Sequence, residues 1–229
     1  MTLAFKEIVD LGHEYFNGMR HIGVAAVAFW PIKTHDEVLR TSQGKYGMES
    51  RMILMPEHCG THLDVPRHCV KGGTDLEQMK LDELVLPGHL LDLTHKRVGE
   101  AITIADLEAA ERASGQAIGP GKATVVWTGV DKVWGEEGFA TRRPHVPTET
   151  AHWLVKRKIT LFCTDMIGMD DPAEWWWPTH KIWLDAGICM VQQLCNLDRL
   201  KGKAFLFVCL PLKIRDGTGC PVRPVALVA

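Results

Sequence analysis

The sequence predicts a mixed α/β fold in a single compact domain, on three observations. Six short apolar segments read as strands, two amphipathic stretches with capping residues fall between them, and no repeat, low-complexity tract or long Pro/Gly linker divides the 229 residues. A chain of this length can bury a sizeable core as one domain, expected here to span residues 1–229.

The elements follow in chain order. Residues 50–56 and 84–93 are short apolar-rich strand segments. Thr103, with Asp106 and Glu108, opens a helix in which Leu107, Ala110 and Ala113 recur on one face, and Gly115 ends it as a C-cap. Residues 124–130 form the next strand, favoured by Val125, Val126 and Trp127. Thr148 caps a second helix running to about Arg157, with Ala151, Leu154 and Val155 facing inward. Further strands are expected at 159–163, 188–194 and 204–212.

Composition narrows the function classes. Lys and Arg total 26 against 28 Asp and Glu, a net charge of −2, which lacks the attraction that a nucleic-acid or anionic-membrane partner needs. Apolar residues at 46% with charged residues at 24% exclude disorder and collagen-like arrays. The longest apolar run, 23–31, falls short of the ~20 residues of a membrane helix. The start, with Lys6, Glu7 and Asp10, is unlike a signal peptide, so a cytoplasmic location is expected. Seven cysteines with no C-x-x-C pair argue against a disulfide framework or thiolate zinc site, and are expected to be small buried hydrophobes. Only Ser42, Ser50 and Ser114 are present and none sits in G-x-S-x-G, so serine chemistry is poorly supplied.

The chemistry concentrates in residues 57–68, where His58, His62, Asp64 and His68 all occupy even positions. His62, Asp64 and His68 can share a face wherever the chain is extended, and His58 reaches that side if Gly60-Thr61 turns. Pro66 argues against a helix through the stretch. Two imidazoles and a carboxylate suit a borderline divalent metal, Zn²⁺ or Mn²⁺, with open coordination positions. The bland alternative, surface or core histidines beside a turn, leaves the clustering of three histidines with Asp64 unexplained.

The motif H-x-G-T-H-x-D-x-P-x-H, His58 to His68, resembles at all seven specified positions the signature of the cyclase family of metal-dependent hydrolases, which includes bacterial kynurenine formamidase and isatin hydrolase. Weaker similarity extends through Trp30-Pro31, Thr164-Asp165, His180 and the stretch 192–197. The resemblance implies a mixed β-sheet surrounding the metal site with flanking helices, and a homodimer or homotetramer. It implies metal ligation by His58, His62 and Asp64, general acid/base action by His68, a second-metal or ligand-orienting role for His180, and a substrate contact at Trp30.

One position departs from the family pattern. Where dinuclear formamidases place a metal-bridging glutamate, this chain has Gln192. Two divalent cations would then face Asp64 as the single anionic protein ligand, whereas one cation, with Gln192 offering a neutral carbonyl oxygen, leaves one positive charge. The expectation is one divalent metal per chain, Mn²⁺ favoured by the oxygen-rich set and Zn²⁺ the alternative.

Such a metal acidifies water and polarises a carbonyl, and His68, with an ordinary pKa near ~6.5, suits the proton transfers. The implied reaction is hydrolysis of an aryl or cyclic amide C–N bond. Isatin hydrolase-like ring opening is favoured, with kynurenine formamidase-type arylformamide hydrolysis or cyclic ester hydrolysis on the same site as alternatives. Trp177, within the run Trp175-Trp176-Trp177, is a further substrate-contact candidate, the alternative for the run being core or interface packing. Asp165, Asp170 and Asp171 could orient a ligand histidine or serve only in turns. Two other classes compete. A facial-triad iron oxygenase normally has an all-β fold and leaves His58 and His68 without a task. A non-enzymatic metal or small-ligand binding module has no need of His68.

Overall fold

Strands form where apolar residues run without alternation, the signature of strands covered on both faces. Such runs are β6 (Ala123–Trp127), β7 (Leu161–Thr164) and β8 (Cys189–Gln192), in which all but Trp127 are buried. A computed structural model describes residues 5–19 and 26–229; His21 and the start of the apolar run at 23–31 lie outside the described residues. The remaining strands are β1 (Glu7–Asp10), β2 (Ala28–Lys33), β3 (Ser50–Leu54), β4 (His62–Asp64), β5 (Val85–Asp92), β9 (Phe205–Val208), β10 (Gly219–Pro221) and β11 (Val225–Val228). The helices are α1 (His35–Thr41), α2 (Ile104–Ser114), α3 (Thr148–Lys156) and α4 (Pro178–Asp185). No helix among the described residues is long and apolar enough to cross a membrane.

Among the described residues nine strands join one sheet in the order β1-β11-β9-β5-β6-β7-β8-β4-β10. Its centre, β5 to β8, is parallel and both flanks are antiparallel, so the expected mixed α/β class is what the chain adopts and an all-β oxygenase scaffold is not. A bridge between Gly12, just past β1, and Leu194, just past β8, shows that the sheet curls until its β1 flank returns to the end of β8. Side-chain alternation divides the core in two. Leu63, Val125, Cys163 and Val191 pack inside the curl, while Val126, Phe162 and Met190 meet Leu107, Leu154 and Trp183 from the helices.

Several sequence expectations shift at their ends. Thr103 and Asp106 form a reciprocal capping box on α2, and Gly115 takes the left-handed C-cap, but Ala113 is exposed rather than on the buried face. The cap of α3 is Pro147, not Thr148, which is already the first helical residue and makes no capping bond. The strand expected at 188–194 stops at Gln192 because Gln193 turns into the left-handed region, φ +56°. Residues 50–54 do form a strand, yet outside the main sheet: β2 and β3 make a separate ribbon with Trp30, Ile32, Met52, Ile53 and Leu54 exposed. All seven cysteines are free and five are buried, as small apolar residues would be.

Candidate metal centre

Strand pairing brings the site together. β4 lies between β8 and β10, with His62 opposite Gln192, and Asp64 opposite both Met190 and Gly219. Since residues two apart share a face, His62 and Asp64 point with Gln192 toward the helix side of the sheet while Leu63 enters the other core. Gly60 turns the preceding chain at φ +56°, where a Cβ would sit 2.8 Å from the Tyr15 ring, and this turn returns His58 to the same side. The extended stretch ends at Val65. Pro66 starts a 3₁₀ turn (Pro66–His68), a position where its missing N–H costs nothing, so His68 arrives by a turn and not along a strand. The His68 ring stacks on His58, centroids 3.8 Å apart, and the ligand atoms of His58, Asp64 and His68 lie within 4.8 Å of one another.

The hydrogen bonds fix which ring nitrogens face inward. The Glu57 carboxylate can only accept, and its Oε2 receives both the Thr218 backbone N–H, at 3.2 Å, and the Thr218 hydroxyl proton. The Thr218 hydroxyl therefore accepts from His58 Nε2–H at 2.8 Å, leaving the Nδ1 lone pair 2.6 Å from Asp64 Oδ1. His62 donates Nδ1–H to the Gly60 carbonyl at 2.8 Å, so its Nε2 lone pair faces Asp64 Oδ1 at 3.2 Å. Two lone pairs and a carboxylate oxygen converge at distances that only a proton or a cation reconciles. The electrostatics agree. Burial opposes ionisation of Asp64, yet the His62 and His58 imidazoles hold its carboxyl well below the usual range; His62 is raised because Asp64 outweighs its own burial. The donor set thus fits a divalent cation.

His180 is the third residue of α4, and Asp170 places it. The Asp170 carboxylate accepts from Thr179 N–H at 2.6 Å, capping the helix, and holds His180 Nδ1 as well, which turns Nε2 toward the cluster. Asp170 is therefore an orienting residue, whereas Asp165 accepts from the Thr128 N–H and hydroxyl and does not line the cleft. Gln192 departs from the expected carbonyl ligand. Its Oε1 accepts from Gly168 N–H at 2.6 Å, and its Nε2 donates to Asp64 Oδ2 and faces His180 Nε2 at 3.1 Å, so the amide shows NH₂ to the cluster. The reverse orientation would set the NH₂ against the Gly168 N–H.

A cleft of about 330 Å³ opens over these residues. Trp175 and Trp177 line it, and both are exposed, which removes core packing as their role. Trp177 caps α4 in the left-handed region at φ +52° and lies 6.4 Å, nearly parallel, from the His68 ring. Burial lowers the His68 pKa to about 4, with Asp64 opposing, and the ring makes no hydrogen bond among the described residues. Trp30, 66% exposed on β2, does not line the cleft of its own chain. Sequence reading missed Thr218, Gly219 and Arg143. The first two become neighbours of the motif only through the β4–β10 pairing, and a lone arginine after a glycine-containing loop gives no signal.

Comparison with known proteins finds relatives in sequence and in fold. The Cyclase family model, described as "Putative cyclase", covers residues 9–171. Isatin hydrolase of Roseibium aggregatum is 30% identical over 196 residues, 77% of this chain and 73% of that protein. Kynurenine formamidase of Salinibacter ruber is 25% identical over 206 residues, 87% and 91% of the two chains. A crystal structure of an isatin hydrolase bound to the product analogue thioisatinate superposes with a TM-score of 0.82 at 25% identity, over 97% of this chain and 92% of that one.

Proposed function

The chain belongs to the cyclase family of metal-dependent hydrolases, and from that premise we propose that its 229 residues form one hydrolase domain that opens an aryl or cyclic amide at the C–N bond. Isatin-like ring opening is the favoured reaction, and arylformamide hydrolysis is the alternative that the similarity to a kynurenine formamidase keeps open. The observation that carries the reading is the convergence of the His58 Nδ1 and His62 Nε2 lone pairs on Asp64.

His58, His62 and Asp64 would hold one divalent cation. Bound there, it supplies Lewis acidity, polarising a carbonyl and acidifying water. The residues of the chain do the rest. His68 stacks on His58 with ring nitrogens that make no hydrogen bond among the described residues, placed to take a proton from the attacking water and return it to the leaving nitrogen. Trp175 and Trp177 offer flat faces to an aryl ring. The Gln192 NH₂ donates to Asp64 Oδ2 and also faces Nε2 of His180, which Asp170 fixes. Ligation by Gln192 requires its amide to turn over and forfeit the Gly168 bond, and the preference for Mn²⁺ over Zn²⁺ depends on that turn. The exposed β2–β3 ribbon supports a homodimer or homotetramer, and a substrate contact for Trp30 calls for a neighbouring copy.

Elemental analysis of the purified protein, followed by assays of isatin and N-formylkynurenine with and without chelator, tests the reading. One metal per chain and chelator-sensitive turnover are expected. His68→Ala should keep the metal and lose turnover by about a hundredfold or more. Retained turnover in His68→Ala, or turnover indifferent to chelator, refutes it.

A further inference from the structure

Arg143 is the one lysine or arginine among the described residues of the cleft wall, and the proposed chemistry leaves its charge unused. It is 6% exposed, and three backbone carbonyls hold one edge of its guanidinium: Nε donates to Ala140 at 3.1 Å, and Nη1 to Pro144 at 3.2 Å and Asp170 at 2.8 Å. Nη2 donates to no acceptor among the described residues. It lies on the His180 side of the cleft, because the point where a Gly168 Cβ would sit is 3.4 Å from Nη2 and 3.6 Å from His180 Cε1.

Asp170 and Asp171 attract it, but no carboxylate among the described residues makes a hydrogen bond or ion pair with it. The Asp170 carboxylate is engaged by His180 and the start of α4, Asp171 Oδ1 accepts from Ala173 N–H, and Glu174 lines the mouth of the cleft. Neutral carbonyls alone do not offset the cost of burying a cation, and a carboxylate does so through a short charge-assisted bond. Burial lowers the Arg143 pKa to about 10, against the pull of Asp170 and Asp171, so the group stays charged at neutral pH.

We propose that Arg143 Nη2 receives a carboxylate oxygen of the ligand, making Arg143 a specificity-determining residue for acids held against the tryptophan wall. The inference rests on the amide-hydrolase reading. The carboxylate has two chemical sources. One is a substituent already on the substrate ring. The other is the group made in the reaction, where the water oxygen bonds to the carbonyl carbon, the C–N bond breaks and a water proton passes to the nitrogen.

The test uses the full chain with matched metal content and follows tryptophan fluorescence during titration with benzoate and with its neutral isostere benzamide. Wild type should prefer benzoate, and Arg143→Gln should lower benzoate affinity about tenfold to a hundredfold while leaving benzamide unchanged. Arg143→Lys, which keeps a charge but has no second nitrogen to present, should lose most of the same preference and serves if the glutamine variant does not fold. Comparing kcat/KM for N-formylanthranilate and formanilide separates the sources. A selective loss on the acid substrate assigns the substituent, and an unchanged ratio with weaker benzoate inhibition assigns the product; both support the role. Wild-type benzoate affinity in a folded Arg143→Gln protein overturns it. If no amide is turned over yet the benzoate preference depends on Arg143, the hydrolase reading fails and the carboxylate site stands.

Discussion

Gly219→Ala should damage the metal site without touching a ligand. Gly219 faces Asp64 across the β4–β10 pairing, and a Cβ there would lie 2.4 Å from His58 Cε1, 2.8 Å from His58 Nδ1 and 2.7 Å from the Leu63 carbonyl oxygen. Ordinary contact begins near 3.4 Å, so either the imidazole or the strand must move by roughly 1 Å. The Leu63 carbonyl belongs to a strand paired on both sides, so the strand gives little and the ring takes most of the displacement. Moving it breaks the geometry of both its contacts, Nδ1 with Asp64 at 2.6 Å and Nε2 with Thr218 at 2.8 Å. Overpacking of this kind costs about 1–3 kcal/mol, and each kcal/mol corresponds to roughly 2–4 °C in Tm for a chain of this size. Displacing a ligand ring should also weaken metal binding by about tenfold to a hundredfold. Competition with a chromogenic chelator measures the affinity and circular dichroism checks the fold. A folded Gly219→Ala protein that binds metal as wild type does would refute the placement of His58 in the centre.

Two further perturbations probe the shell and the core. Thr218→Val removes the hydroxyl that accepts from His58 Nε2, freeing the ring to change tautomer, and should weaken metal binding by about tenfold in a chelator competition while Thr218→Ser retains it; equal affinities in the two variants would count against the relay. Burial raises the Asp165 pKa to about 6, with the Thr128 N–H and hydroxyl opposing, so the folded state holds this proton where the unfolded chain has released it. The stability from Asp165 is thus full below about 3.8 and is lost as pH rises through about 6, a difference of up to roughly 3 kcal/mol. Urea unfolding should show wild type gaining on Asp165→Asn as pH falls from neutral toward 4, and parallel stabilities across that window would sink the argument.

The strands β5 to β8 were legible because runs such as Val125-Val126-Trp127 and Leu161-Phe162-Cys163 have few other uses than a twice-covered strand. The motif was legible because its residues lie close in sequence. What the sequence withheld was everything set by pairing. β10 is three residues long and contains Gly219 and Pro221, a composition that propensity assigns to a loop, and β4 pairs with it through tertiary context alone. α4 was hidden for a related reason, since Trp177 in a left-handed conformation is a poor cap and the work is done by Asp170. The orientation of the Gln192 amide depends on Gly168 N–H, twenty-four residues away, and spacing carries no trace of it.

The arrangement around Asp64 also explains why so many segments must cooperate for so small a site. An imidazole directs a lone pair inward only when its other nitrogen has an acceptor to donate to, and each histidine here finds that acceptor in a different place. For His62 it is the Gly60 carbonyl, in the turn before β4; for His58 it is Thr218, at the edge of β10; for His180 it is Asp170, in the loop before α4. A motif can encode the inward atoms within one stretch of chain. Of the outward acceptors only the Gly60 carbonyl lies within the motif; Thr218 comes from the sheet edge and Asp170 from the loop before α4, so the geometry proposed for the metal depends on the closed fold, and the motif alone, as a peptide, would lack the tautomer of His58 that it needs.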